Sequence, residues 1–241
     1  MDSTTLFVVA ILFAAAFLQS ATGFGLALVG MALVPLVMPV HEAIAFVSLA
    51  SFGVNVFVMI ANHSGFSWRR ALPLVTGTCL GIPAGYFFLR SLDSEWIVRL
   101  LGYALVLIAL LEFGRKRIAK LPIPEKAGFP LSLVGGMLAG AFNVGGPPVV
   151  IYAYSRPWSR VETVAVLQTV FISAAIVRNL LMAQSGEING ELLRLVGVAL
   201  PPAAVAVWLG KLTLERLPEV WLRRSVYGLI LVIGLRYVFS G

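Results

Sequence analysis

The chain has 241 residues, of which 59% are hydrophobic and only 12% are charged, and its mean hydropathy is +0.95. Because soluble domains carry about 25% charged residues, this composition excludes an ordinary soluble protein and indicates a polytopic membrane protein. The net charge of +7 lies in short loops between apolar runs rather than on one basic face, which argues against nucleic-acid binding.

Eight apolar runs follow one another along the chain. Six of them have the length expected of single membrane spans: 43–61, 71–89, 97–113, 163–184, 193–209 and 222–239. The other two, 5–40 and 129–154, each contain a glycine-rich break. In 129–154 the break leaves arms of about a dozen residues, so a re-entrant hairpin and a pair of full spans both remain open.

Lys and Arg residues divide unevenly between the two faces that this order of spans defines. One face carries Arg69, Arg70, Arg115, Lys116, Arg117, Lys120, Lys126, Arg156, Arg160, Lys211, Arg216, Arg223 and Arg224, and the other carries Arg90, Arg99, Arg194 and Arg236. Cytoplasmic loops of membrane proteins are enriched in these residues. The first face is therefore predicted to be cytoplasmic, with both termini on the opposite side.

The two halves of the sequence resemble each other at an offset of about 120 residues, a spacing typical of duplicated transporter folds. Gly23 aligns with Gly145, and Asn55 aligns with Asn179. Each half contains one broken run and three spans, and this odd number of crossings would invert the second half relative to the first. The predicted fold is a single all-α transmembrane domain, 1–241, made of repeat 5–113, cytoplasmic linker 114–128 and repeat 129–239. Chance similarity between two apolar stretches is the alternative.

The two breaks are the predicted substrate site. Non-helical backbone inside a bilayer is tolerated only where protein or a water-filled cavity satisfies it, and a helix that restarts after a break points unpaired N–H groups at an anion. Glycine lets a ligand approach the backbone, although glycines that only permit helix packing are the alternative. The predicted contacts at the breaks are Gln19, Ser20, Thr22, Gly23, Phe24, Gly25, Asn143, Gly145, Gly146 and Pro147.

Three polar residues inside the spans extend this candidate site. Arg178 lies about six residues from the outer end of its span, where it either snorkels to the interface or faces a cavity and binds an anion. Asn55 and Asn179 occupy equivalent places in the two halves, and either ligand binding or interhelical hydrogen bonding accounts for them.

Glu42 and Glu162 each begin the span that follows a broken run. A negative side chain in the first turn stabilises a helix, and this is the default role of both. Proton coupling at the mouth of a cavity is the alternative. Metal-spaced His, Cys or Asp clusters, nucleotide-binding loops and nucleophile–base sets are absent from the sequence, so we expect no enzymatic activity, no metal and no cofactor.

Both break motifs resemble those of the TauE/SafE family, the sulfite exporter or toluenesulfonate uptake permease family. The matching segments are Gln19-Ser20-Ala21-Thr22-Gly23-Phe24-Gly25, with Pro35 downstream, and Gly136-Met137-Leu138-Ala139-Gly140-Ala141-Phe142-Asn143-Val144-Gly145-Gly146-Pro147-Pro148. The likeness covers essentially the whole chain. It implies a carrier in the bacterial inner membrane for sulfur-containing or organic anions such as sulfite, thiosulfate, sulfoacetate or other sulfonates. It leaves the substrate and the direction of transport open.

The expected function is therefore secondary transport of a small anion by alternating access of two inverted repeats. An anion-selective or small-solute channel is the alternative, because channels also contain re-entrant elements. The expected partners are the lipid bilayer and a small anionic substrate. Coupling to protons or another ion, and assembly as a homodimer, are left open.

The charge distribution predicts the orientation directly. An alkaline phosphatase fused after Gly241 should be active, because that enzyme folds only outside the cytoplasm, and a fluorescent protein fused in the 114–128 loop should fluoresce. A cytoplasmic C-terminus would contradict both the orientation and the inverted repeat, since both depend on the same number of crossings.

Overall fold

A computed structural model describes residues 3–114, 123–213 and 219–240, with side chains except at positions 21–22, 213, 219–224 and 240. All regular structure within these ranges is helical, which confirms the predicted all-α class. Helices α1 to α10 are, in order, Ser3–Thr22, Leu26–Leu33, Val40–Ala61, Trp68–Arg90, Ser94–Phe113, Gly128–Phe142, Gly146–Tyr154, Arg160–Gln184, Gly190–Thr213 and Glu219–Ser240. Short 3-10 turns occupy Val34–Leu36, His63–Gly65 and Glu125–Ala127.

Six helices in the described ranges are long and apolar enough to cross a membrane, namely α1, α3, α4, α5, α8 and α9. Five of them contain runs that the sequence predicts as single spans. The predicted span 222–239 lies in α10, whose apolar described part, Ser225–Phe239, is shorter. The sixth spanning helix is instead α1, the first arm of the broken run 5–40.

Each broken run consists of one longer helix followed by one short helix. At 1.5 Å per residue the eight residues of α2 span about 12 Å and the nine of α7 about 14 Å, less than half of a hydrocarbon layer of about 30 Å. Neither short helix can cross a bilayer alone. The two breaks therefore place helix ends within the apolar part of the protein.

Local sequence explains where these helices stop. Gly23 and Gly25 have φ angles of 80° and 117°, which glycine adopts without the steric cost that a side chain brings. In the second break α6 ends at Asn143, whose φ of 60° is the left-handed conformation that asparagine tolerates best after glycine. Proline in the first turn of α7 starts the next helix, since its missing N–H has no intrahelical acceptor there.

The two halves of the chain pack in a nearly symmetrical pattern. Helix α1 packs on α9 as α6 packs on α4, and α3 packs on α9 as α8 packs on α4. The pairs α3–α8 and α5–α10 join equivalent helices of the two halves. Each of these contacts therefore has a counterpart between the equivalent helices of the other half. The contact of α10 with α2 is an exception, because the equivalent contact of α5 with α7 is weaker.

Helices α4 and α6 approach more closely than the other pairs because glycines line both surfaces. A Cβ atom on Gly81 would lie 2.2 Å from the carbonyl oxygen of Leu133, and one on Gly85 would lie 1.9 Å from that of Met137. From the other side, a Cβ on Gly140 would lie 2.1 Å from the Ile82 oxygen. Small residues at such spacing let two helix backbones touch in an apolar setting, which fixes the position of α6 and its C-terminal end.

Candidate functional site

A central pocket lies between the two helix breaks. It is walled by α3, α4 and α8 as well as by the breaks themselves. Its lining residues are Gln19, Phe24, Gly25, Ala27, Leu28, Ser51, Asn55, Thr78, Ala139, Asn143, Val144, Gly145, Gly146, Val149, Val170, Phe171, Ala174, Ala175 and Arg178. Polar side chains from both breaks therefore share one pocket with largely apolar walls, as small-molecule sites commonly have.

At the first break, the buried amide of Gln19 serves as a local cap. Its Oε1 accepts a hydrogen bond of 2.9 Å from the backbone N–H of Leu26, the first residue of α2, and its Nε2 donates to Oδ1 of Asn55. Gln168 of α8 donates 2.7 Å from Nε2 to the carbonyl oxygen of Gly23. Neutral amides thus satisfy backbone groups that the break leaves without helical partners.

At the second break, the cap is an arginine. Arg178 is only 2% exposed and donates from its guanidinium to the carbonyl oxygens of Ala139, Gly140 and Ala141, at the C-terminal end of α6. A cation is favoured there because the last carbonyls of a helix carry partial negative charge. Arg178 is buried rather than snorkelling to an interface.

The charge of Arg178 is not balanced by an acid. Within the described residues no carboxylate forms an ion pair with it, and its Nε, which is fully enclosed, has no hydrogen-bond partner. Arg178 also lines the central pocket. A buried cation with no acidic partner beside a cavity is costly unless an anion or water completes its surroundings.

The remaining polar wall of the pocket comes from α3, α4 and the second break. Nδ2 of Asn143 lies 3.5 Å from Oγ of Ser51, one helical turn before Asn55 on α3. Thr78 of α4 lines the same space and donates 3.3 Å to the carbonyl oxygen of Ser132. The Ser51 hydroxyl and the Asn143 amide can donate hydrogen bonds to an oxyanion.

Several residues predicted at the site lie elsewhere. Ser20 donates 2.7 Å to the carbonyl oxygen of Val207 and so joins α1 to α9, while Asn179 accepts 2.7 Å from Ser48 and joins α8 to α3. Gly23 and Pro147 do not line the central pocket. The Thr22 side chain lies outside the described residues. Of the two paired asparagines, then, Asn55 lies at the pocket and Asn179 makes an interhelical hydrogen bond.

The two glycines of the second break face different surroundings. A Cβ atom on Gly145 would lie 2.0 Å from the carbonyl oxygen of Gly135 in α6, whereas one on Gly146 would meet only the Phe171 ring, at 3.6 Å. Gly145 therefore packs against α6 while it borders the pocket. The start of α7 also offers fewer N–H donors than α2, because Pro147 and Pro148 have none.

Glu42 and Glu162 are not brought to the pocket. Glu162 forms a capping box with Ser159 at the start of α8 and an ion pair with Arg70. Glu42 is exposed in the first turn of α3. Both positions suit the stabilising role of an acid at a helix N-terminus.

A polar cluster bridges α4 and α8 just beyond Arg178. The Tyr86 hydroxyl donates 2.6 Å to Oε1 of Glu187 and lies 3.3 Å from the carbonyl oxygen of Leu181. Arg90 pairs with the same carboxylate at 3.0 Å. These contacts join the end of α4 to the loop after α8, on the face that carries few basic residues.

Sequence reasoning missed Ser51, Thr78, Gln168 and Phe171. Helical spacing could have found two of them, because Gln168 and Phe171 precede Arg178 by ten and seven residues and so share its face of α8. Ser51 likewise precedes Asn55 by one turn. No comparable signal marks Thr78, which reaches the pocket only through the close packing of α4 on α6.

A helical protein with six spanning helices and a polar pocket between two intramembrane helix breaks has the organisation of a membrane transporter. The family model described as sulfite exporter TauE/SafE matches residues 8–237, and the chain belongs to this family. It is a multi-pass protein of the inner membrane. No solved structure matches the chain significantly.

Two curated relatives are similar over most of their length. A probable sulfite/organosulfonate exporter TauE of Cupriavidus necator is 28% identical over 233 residues, which cover 93% of this chain and 90% of that protein. A probable inner membrane transporter protein TsaS of Comamonas testosteroni is 25% identical over 175 residues, which cover 72% of this chain and 73% of that protein. The expected resemblance to the TauE/SafE family is thereby confirmed.

The geometry of the second break separates packing from binding. We expect Gly145→Ala to destabilise the protein by about 1–3 kcal/mol, because its Cβ has no room against α6. Gly146→Val should leave the melting temperature in detergent nearly unchanged but impair transport, since its side chain projects toward Phe171 within the pocket. Gly197→Ala, exposed and with open space at its Cβ, is the matched control. A stable Gly145→Ala protein would contradict the packing role.

Proposed function

We propose that the chain is a secondary transporter that binds a small sulfur-containing or organic anion in the central pocket. Sulfite, thiosulfate, sulfoacetate and other sulfonates are the candidate substrates. The family is described as sulfite exporters, and the Cupriavidus necator relative as a probable exporter of sulfite and organosulfonates. The observation that carries this proposal is Arg178, a buried cation that lines the pocket and has no acidic partner among the described residues.

An oxyanion in this pocket would offset the cost of burying Arg178. Charge-assisted hydrogen bonds are stronger than neutral ones, and a planar guanidinium fits the oxygens of a sulfite or sulfonate group. The first turn of α2 adds backbone N–H groups at Ala27 and Leu28, which have no acceptor within their own helix. Asn55 and Asn143 supply amide groups on either side.

Alternating access is the proposed mechanism. The equivalent contacts in the two halves support two inverted repeats, 5–113 and 129–239, that move against each other around the pocket. The odd number of crossings predicted for each half agrees with this arrangement. The cluster of Tyr86, Arg90 and Glu187 is the proposed contact that closes the pocket on the face with few basic residues. Its separation would open that side.

Counterflow in proteoliposomes tests this function. Vesicles containing purified protein are preloaded with an unlabelled anion, and entry of labelled sulfite, thiosulfate, sulfoacetate, taurine or chloride is then measured. A carrier should show saturable uptake that the internal anion accelerates. Linear uptake without such acceleration would favour a channel, and the absence of flux for every anion would overturn the proposed function.

The substrate contact at Arg178 predicts a graded loss of affinity. Arg178→Gln should weaken anion binding by about 1–3 kcal/mol, because the charge and the charge-assisted hydrogen bonds are both lost. Arg178→Lys should recover only part of this, since an ammonium keeps the charge but not the planar fork. The measurement is the concentration of anion that gives half-maximal counterflow.

Two controls make this measurement specific. Arg194→Gln removes an exposed positive charge on α9 and should leave affinity unchanged. The melting temperature in detergent is measured with and without the anion. Loss of the helix cap lowers the melting temperature without anion, whereas loss of binding removes the rise that the bound anion causes in wild type. If anion stabilises the Gln variant as strongly as wild type, Arg178 serves only as the cap of α6.

A further inference from the structure

Three buried amide side chains form a chain of hydrogen bonds at the first break. Gln19, Asn55 and Gln168 come from α1, α3 and α8 and are at most 4% exposed. Nε2 of Gln19 donates to Oδ1 of Asn55 and lies 3.4 Å from Oε1 of Gln168. Gln19 and Asn55 line the central pocket, whereas Gln168 does not.

Two backbone groups fix which end of each amide points where. The N–H of Leu26 can only donate, so the Gln19 atom that meets it at 2.9 Å is the oxygen. The carbonyl of Gly23 can only accept, so the Gln168 atom that meets it at 2.7 Å is the nitrogen. The remaining polar atom of Gln19 is then a donor, and the Asn55 atom that it contacts must be the acceptor oxygen.

This chain of hydrogen bonds determines what Asn55 offers to a ligand. Its Oδ1 is held against Gln19, so the group that it can present to the pocket is the Nδ2 amide, which donates. An unrestrained asparagine could rotate about its terminal bond and present either atom. Asn55 is therefore fixed as a donor.

Carbonyl groups at the two breaks are occupied by side chains of the protein. Gln168 donates to Gly23 at the first break, and Arg178 donates to residues 139–141 at the second. Among the described lining residues none is Asp or Glu, and Glu187, beyond Arg178, does not line the pocket. The described wall thus holds a buried cation and no carboxylate.

These surroundings discriminate between anions by what else the molecule carries. The oxygens of a sulfonate group only accept hydrogen bonds, which suits Arg178 and a donating Asn55. An ammonium group on the same molecule only donates and is positively charged. In this pocket it would lose its hydration without a carboxylate to replace it, and Arg178 would repel it.

We propose that the central pocket selects anions that carry no ammonium group, and that Gln19 is a positioning residue that enforces this choice by holding Asn55 as a donor. This inference rests on the proposed transport function and narrows its substrates to sulfonates and related oxyanions without a cationic substituent. Asn55 is the specificity-determining contact, because its Oδ1 is the acceptor that Gln19 withholds from an ammonium group.

The selectivity is tested with sulfonates that share a two-carbon chain and differ in one substituent. Ethanesulfonate has none, isethionate has an uncharged hydroxyl, and taurine has an ammonium group at neutral pH. Affinity is taken from the rise in melting temperature of the purified protein with ligand concentration. Taurine should bind roughly tenfold or more weakly than ethanesulfonate, because like charges at a binding site suppress the wrong ligand, and isethionate should resemble ethanesulfonate.

Two results of this series would overturn the proposal. One is equal affinity for taurine and ethanesulfonate, and the other is binding of sulfite together with rejection of all three sulfonates. Failure of every anion, sulfite included, to bind or to exchange in counterflow would instead refute the transport function itself.

The positioning role of Gln19 is tested by a double-mutant cycle with Asn55. Gln19→Met frees the Asn55 amide to turn its oxygen inward, so the preference for ethanesulfonate over taurine should fall several-fold. Asn55→Leu should weaken ethanesulfonate but still exclude taurine, and adding Gln19→Met to it should leave the preference unchanged. If Gln19 served only to hold the fold, its substitution would lower the melting temperature without altering the preference, and that result would contradict the positioning role.

Further variants control for lost hydrogen bonds and for misfolding. Asn179→Leu removes the repeat counterpart of Asn55, which accepts from Ser48, and should keep the preference of wild type. Asn55→Asp keeps an oxygen for Gln19 and places a second acceptor where Nδ2 lies, so it should strengthen taurine relative to ethanesulfonate even if Gln19→Met does not fold. A wild-type preference in Asn55→Asp would overturn the assignment of Asn55.

Discussion

The structure depends on one constraint: backbone groups at two helix breaks must be satisfied away from water. Gln19 and Gln168 meet this demand at the first break, and Arg178 meets it at the second by donating to three carbonyl groups. The two solutions differ in charge. Amides leave the first break neutral, whereas the arginine brings a whole positive charge to an end that carries only a partial negative one. The surplus makes the pocket between the breaks suited to an anion.

Helix α8 connects the two breaks. Gln168 and Arg178 are ten residues apart, about 15 Å along the helix, and they lie on the same side with Phe171 and Ala175 between them. One rigid element thus caps the end of α1 and the end of α6 at once. In the proposed transport cycle, a movement of α8 relative to either helix would change the pocket and its caps together. A substrate that bridges both breaks would oppose or favour that movement directly.

The sequence predicted the helical class, the two breaks and the membrane location because each leaves a strong local signal: long apolar runs, or Gly, Pro and Asn where a helix must stop. Side-chain roles were harder to predict. Both lipid-facing and inward-facing surfaces are apolar here, so periodicity does not distinguish them. Ser20 and Asn179 therefore looked like ligand contacts although they join helices, and Gly145 looked like an open approach to the backbone although it packs on Gly135.

Symmetrical packing and asymmetrical chemistry coexist in this protein. Most helix contacts of one half have an equivalent in the other half. The side chains differ: the aligned counterpart of Arg178 is the apolar Val54, and Tyr103 is exposed where Tyr227 is buried. In the proposed alternating-access cycle, two related halves would give two conformations of comparable packing, because each set of contacts has an equivalent on the other side. In the proposed carrier, the unequal side chains supply what the packing does not, namely one buried arginine at the pocket rather than two. In the proposed carrier, sidedness therefore arises from a few polar residues on a nearly symmetrical scaffold.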